Sequence, residues 1–166
     1  MTEPAPDLAH QTDVDTGLLA SHSTDVVVLP RETTDDGRGV YHDSVVTLVK
    51  EFKWLGVTAA FAHDREQRTW LGQKSFVPDL AAFAVGIASN AGWSALWWLL
   101  RSRKSTVSVR VTVARRRELP SGATWEEYVI EGKVGDVVEA LAAIETPDPE
   151  LVKRFDEKAE APSSLD

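Results

Sequence analysis

Four histidines are the first side chains to test for chemistry. His10, His22, His42 and His63 show no H-x3-H or comparable metal-ligand spacing. Two of them precede an aspartate, His42-Asp43 and His63-Asp64. Adjacent residues on a strand point to opposite faces, so neither pair reads as a base and its orienting carboxylate. They read as polar residues at turns and strand ends. Pro78-Asp79 together with Glu131-Gly132-Lys133 imitates the PD…ExK pattern of metal-dependent nucleases. That chemistry needs carboxylates around a divalent cation and a lysine to polarise water. It also needs both pieces on neighbouring strands, whereas Asp79 reads as a helix start and Glu131 as the approach to another helix. Cysteine is absent, so there is no thiolate metal site, disulfide or cysteine nucleophile. No G-x-S-x-G, Walker or G-x-G-x-x-G motif occurs, and Gly37-Arg38-Gly39 reads as a loop. The expectation is a protein that is not an enzyme and carries no cofactor or metal.

Charge is the next signal. The chain has 166 residues and a net charge of −8. Residues 101–117, RSRKSTVSVRVTVARRR, hold seven of the 18 basic residues and no acid, which leaves −15 for the remainder. An acidic protein is a poor general binder of nucleic acid, so no nucleic-acid partner is expected. Within the block, Arg101, Arg103 and Lys104 suit a helix C-terminus. Arg115, Arg116 and Arg117 suit a strand end, where charge deters edge pairing. The functional alternative uses these residues and Arg110 to dock an acidic partner or the chain's own acidic tail.

The element that must position these groups is Leu80–Leu100, LAAFAVGIASNAGWSALWWLL, 21 residues without charge. Pro78-Asp79 predicts a helix start and Arg101 a helix end. The expectation is one long central helix, apolar nearly all round. Ala84, Ala88 and Gly92 would make a smooth stripe for close backbone approach, with Trp93, Trp97 and Trp98 crowding one end. Such a helix is buried, docks a partner, or crosses a membrane, for which about 20 residues suffice.

Around it, Asp25–Leu29 predicts a strand ended by Pro30, and residues 31–40 a polar loop. Val45, Leu48, Val49 and Phe52 recur at helical spacing after an Asp43 or Ser44 cap, and Gly56 fits the helix stop. Val57–His63 and Arg68–Phe76 predict strands, the second burying Trp70 and Leu71. Thr106–Val113 alternates valine with polar residues and pairs with Thr124–Glu131 through a turn over Glu118–Ala123. Lys133–Ile144 predicts an amphipathic helix. The order β-α-β-(β)-α-β-β-α predicts an α+β domain, two-layer, with a mixed or antiparallel sheet, over residues 24–144. Residues 1–23 and 145–166 read as acidic tails, the first disordered. Neither a signal peptide nor a cysteine framework is present, which favours a cytoplasmic location, with membrane association through residues 80–100 as the alternative.

The segment Leu80–Ile144 resembles the effector-associated constant component family of bacterial conflict systems. An Ala-rich run into ALWWLLRSRKS, the strand VSVRVTV ending in ARRR, the strand EEYVIEGK and the helix VGDVVEALAAI carry the likeness. The resemblance implies a small non-enzymatic adaptor encoded beside variable effector proteins, such as proteases or other toxic enzymes, which it couples or regulates. The expected partner is therefore an effector protein encoded nearby, with homo-oligomerisation and membrane contact as further possibilities. The Ala84, Ala88, Gly92 stripe and the tryptophan cluster are its expected docking surface.

Overall fold

Runs of alternating apolar residues fold into two sheets, and amphipathic helices cover one side of the larger. The computed structural model describes residues 16–20, 22–71, 82–103 and 106–160. Its strands are β1 (Val26–Leu29), β2 (Glu32–Thr33), β3 (Gly39–His42), β4 (Ala59–Phe61), β5 (Arg68–Leu71), β6 (Ala82–Ile87), β7 (Ser108–Leu119) and β8 (Gly122–Lys133). Its helices are α1 (Thr16–Ala20), α2 (Ser44–Trp54), α3 (Asn90–Arg101), α4 (Val134–Ile144) and α5 (Pro149–Glu160). The α+β class holds, and the sheets are mixed. Five strands run in the order β4-β1-β6-β7-β8, and three more in the order β2-β3-β5.

In the larger sheet β1 and β4 are parallel, as are β6 and β7, while β1–β6 and β7–β8 are antiparallel. Parallel neighbours need a crossover. The chain between β1 and β4 contains α2, and α3 joins β6 to β7. Val28, Val85 and Val111 from three adjacent strands pack with Phe52, Leu96, Val137 and Leu141 from the helices into the main core. The opposite sheet face has a smaller cluster, where Leu19 of α1 meets Val27, Leu29 and Ala114. Gly86 of β6 makes room for it, since a Cβ there would lie 2.2 Å from Leu19 Cδ2.

The long central helix does not form. Residues 82–87 are a strand and only Asn90–Arg101 are helical. The physical reason lies in the alternation of AFAVGI. Phe83, Val85 and Ile87 point to the helical layer, while Ala82, Ala84 and Gly86 point to the other face, a period of two that a sheet uses fully. Ser89 then begins the helix, its side chain accepting the Gly92 N–H at 3.0 Å. Pro78 and Asp79 lie outside the described residues. Among the described residues no helix is long and apolar enough to cross a membrane.

Four further expectations change. The presumed N-terminal tail includes Leu19, 1% exposed, and His22, whose Nε2–H reaches Ala62 O at 3.0 Å. The presumed C-terminal tail forms α5, whose Phe155 is 4% exposed and packs edge-on to Trp98 at 6.2 Å. Asp148 caps that helix by accepting the Glu150 N–H at 2.9 Å. The polar loop after Pro30 holds a small hairpin, β2–β3, extended in parallel by β5. Trp70 of β5, expected inside, is 39% exposed, on the rim of a cluster with Tyr41 and Phe61. The α2 stripe, Val45, Leu48, Val49 and Phe52, is buried as its spacing predicts, and Gly56 follows at φ +88°.

Candidate functional site

The expected docking surface is mostly interior. Gly92 is buried and holds α3 against the start of β1, since a Cβ there would stand 2.8 Å from Asp25 O. Ala84 belongs to β6 and Ala88 to the connection before α3, so the three residues share no helical stripe. Trp93 is buried and its Nε1–H donates to Glu145 O at 2.8 Å. Trp98 is buried and donates to Asp156 Oδ1 at 2.8 Å. Trp97 is half-buried beneath the guanidinium of Arg101, which lies 4.9 Å from its ring centre.

The basic block divides by sheet face. Arg115 is 6% exposed. Its Nε and Nη2 grip both Glu145 carboxylate oxygens at 2.8 and 3.0 Å. Nη2 also donates to Asn90 Oδ1, and Nη1 to the carbonyls of Arg116 and Ile87. Arg117 adds a bond to Glu145 at 3.2 Å and another to Glu126 at 3.0 Å. Burial alone would raise the Glu145 carboxyl, but the Arg115 hydrogen bonds and the charges of Arg115 and Arg117 outweigh it, and the pKa falls below its ordinary 4.5. This is a structural knot joining β7, α3 and the chain leaving α4. Arg103 pairs with Glu51 of α2 at 3.1 Å, Arg101 with Asp156 of α5 at 3.1 Å, and Arg116 with Glu118 at 3.1 Å. Arg110 faces the opposite side of the sheet and is exposed.

His63 Nδ1 engages Tyr41, and His42 Nδ1 engages Ser44. The Tyr41 hydroxyl accepts the His63 backbone N–H at 3.1 Å and lies 3.0 Å from His63 Nδ1. Burial pushes the Tyr41 phenol up to about 12. Gly39 packs against the His63 ring, where a Cβ would collide with Nδ1. His42 Nδ1 accepts the Ser44 N–H at 3.2 Å in a local turn at the start of α2. His10 lies outside the described residues. Among the described residues no three His, Cys, Asp or Glu side chains could hold a metal. Glu131 and Lys133 both sit on exposed β8.

Two features are not absorbed by the core. The first is the outer edge of β8, a 12-residue strand at one end of the sheet order. The hairpin closes with Leu119 opposite Gly122, and at its base Val134 N–H donates to Val107 O at 2.8 Å. Both observations put the hydrogen-bonded pairs at odd positions of β7. Val129, opposite Thr112 and 36% exposed, therefore turns its N–H and C=O outward. Trp125 and Glu131 share that alignment. No described strand pairs with this edge.

The second is a cavity of about 490 Å³ where the two sheets and the N-terminus of α2 meet. One wall is a row across the large sheet, Leu29, Ala84 and Thr112. Arg31, His42, Ser44 and Arg110 bring polar groups to it. The cavity was not visible in the sequence, because it is assembled from segments far apart in the chain, and the β8 hairpin was legible but not its position at the end of the sheet. The Asp148 cap and the Leu151, Val152, Phe155 spacing were legible signals for α5, obscured by the surrounding acids and prolines.

Compared with family models, curated proteins and solved structures, the chain matches none.

Proposed function

We propose that this protein is a non-enzymatic adaptor that couples to an effector protein of a bacterial conflict system, acting in the cytoplasm. The observation that carries the reading is the row of outward N–H and C=O groups on β8. A sheet edge of this length accepts an added strand, with main-chain bonds for affinity and alternate side chains for selectivity. The occupant is an extended segment of the effector. Glu131 stands beside the exposed Val129 on the same face, so the segment should carry Lys or Arg next to an apolar residue. The Glu131 charge also discourages unselective pairing between edges. The resemblance of residues 80–144 to effector-associated components supports the partner class.

The test is co-expression with the effector encoded beside it, followed by size-exclusion chromatography with light scattering. Val129→Pro removes one outward N–H and leaves the β7 ladder intact. The expected result is a one-to-one complex that Val129→Pro abolishes without lowering the melting temperature of the free chain appreciably. An effector complex of undiminished affinity in both Val129→Pro and Val129→Lys would sink the reading. Self-association of the chain alone, lost in Val129→Pro, would assign the edge to a second copy instead.

A further inference from the structure

We propose that the cavity between the two sheets binds a small organic phosphate, a phosphomonoester carried on a compact apolar body. The volume, about 490 Å³, falls within the range of small-molecule sites. The site is built from four separate pieces of chain: the end of β1 running through Pro30 to Arg31, the β3–α2 junction, the start of β6 and the first half of β7. Its apolar part comes from Leu29, Phe83 and Ala84, which offer nothing to an ion but suit a hydrocarbon or ring.

Its polar part is cationic. Arg31 and Arg110 line the cavity, and no carboxylate does so among the described residues, although the chain carries −8 overall. Both guanidinium groups are without an ion pair or hydrogen bond among the described residues, unlike Arg101, Arg103, Arg115, Arg116 and Arg117. The acids nearest in the chain or across the ladder do not neutralise them. Glu131 stands opposite Arg110 on β8 and Glu32 follows Arg31, yet no ion pair within 4.0 Å forms with either.

His42 and Ser44 line the cavity from the α2 end. His42 Nδ1 is the accepting nitrogen of its turn, taking the Ser44 N–H at 3.2 Å and the Ser44 hydroxyl at 2.9 Å, so its own proton belongs on Nε2. Ser44 opens α2, where backbone N–H groups and the helix dipole favour negative charge. Two forked cations and an imidazole N–H suit the three oxygens of a phosphate better than the two of a carboxylate. Asp43, just before Ser44, does not line the cavity.

The test is isothermal titration calorimetry on the full chain with phenyl phosphate, benzoate and inorganic phosphate as probes. Phenyl phosphate should bind with a Kd below about 1 mM. Arg31→Gln and Arg110→Gln should each weaken it by about tenfold, since each loses a charge-assisted contact. Both residues are exposed, so the variants should keep the wild-type melting temperature. Absence of binding up to about ten times that concentration, or binding unaffected by both variants, would overturn the site. Benzoate binding as tightly as phenyl phosphate would overturn the phosphate assignment. Inorganic phosphate binding equally well would overturn the apolar body.

Discussion

Arg110 and Arg115 stand on the same strand, five residues apart and on opposite faces of the sheet. Arg115 faces the helices, is 6% exposed, and has each guanidinium nitrogen bonded to a carboxylate, an amide oxygen or a backbone carbonyl. Arg110 faces the barer side and bonds to nothing among the described residues. One block of basic sequence thus supplies both a structural strut and a free cation. The difference comes from neighbours: Glu145 and Asn90 reach Arg115 because α3 and α4 pack on that face, while Arg110 looks across Ala82 and Glu131. A buried charge is tolerated only with full compensation, whereas an exposed one needs none and stays available to a ligand.

The sharpest way to break this contrast is Arg115→Ala. It leaves the Glu145 carboxylate half-buried with only Arg117 beside it. The expected loss is about 3–5 kcal/mol by urea denaturation, and Arg115→Lys should recover only part, lacking the fork. A loss below about 1 kcal/mol, the range of surface pairs, would remove the distinction between the two arginines.

Phe155→Ala tests whether the C-terminal segment belongs to the structural side. Its ring closes the core beside Trp98, so about 3 kcal/mol should be lost. A variant as stable as the parent would return α5 to the status of a tail.

Acid should separate the two faces by protonation. The Glu145 pKa is depressed in the folded state, so its contribution is complete above the ordinary value of 4.5 and disappears as pH falls through the lower folded value. Glu145→Gln should flatten the stability profile in that window. An unchanged acid slope in the variant would show that Glu145 does not govern it.

The smallest expected effect is Arg110→Gln, within about 0.5 kcal/mol of the parent in stability. A larger destabilisation would mean that Arg110 is a strut like Arg115 rather than a free cation.

Much of the molecule follows from local pattern. Val45, Leu48, Val49 and Phe52 dictated α2, Val107 to Val113 dictated the core of β7, and the Pro-Ser-Gly turn dictated its hairpin. A period of 3.6 or 2 is a property of a few neighbouring residues, so these elements were readable and the α+β class with them. Residues 80–100 show where that ends. Apolarity is shared by a buried strand and a buried helix, and the period-two alternation of residues 82–87 is too short a signal to separate them until β6 takes its place between β1 and β7. The candidate sites were less legible still. The Arg115–Glu145 knot and the cavity join residues from 30 to some 80 positions apart, and the edge of β8 is open because no described strand takes that end of the sheet. Such contacts depend on which faces the packed sheet turns toward its helices, and burial, not residue type, then decides which charges hold the fold and which remain free.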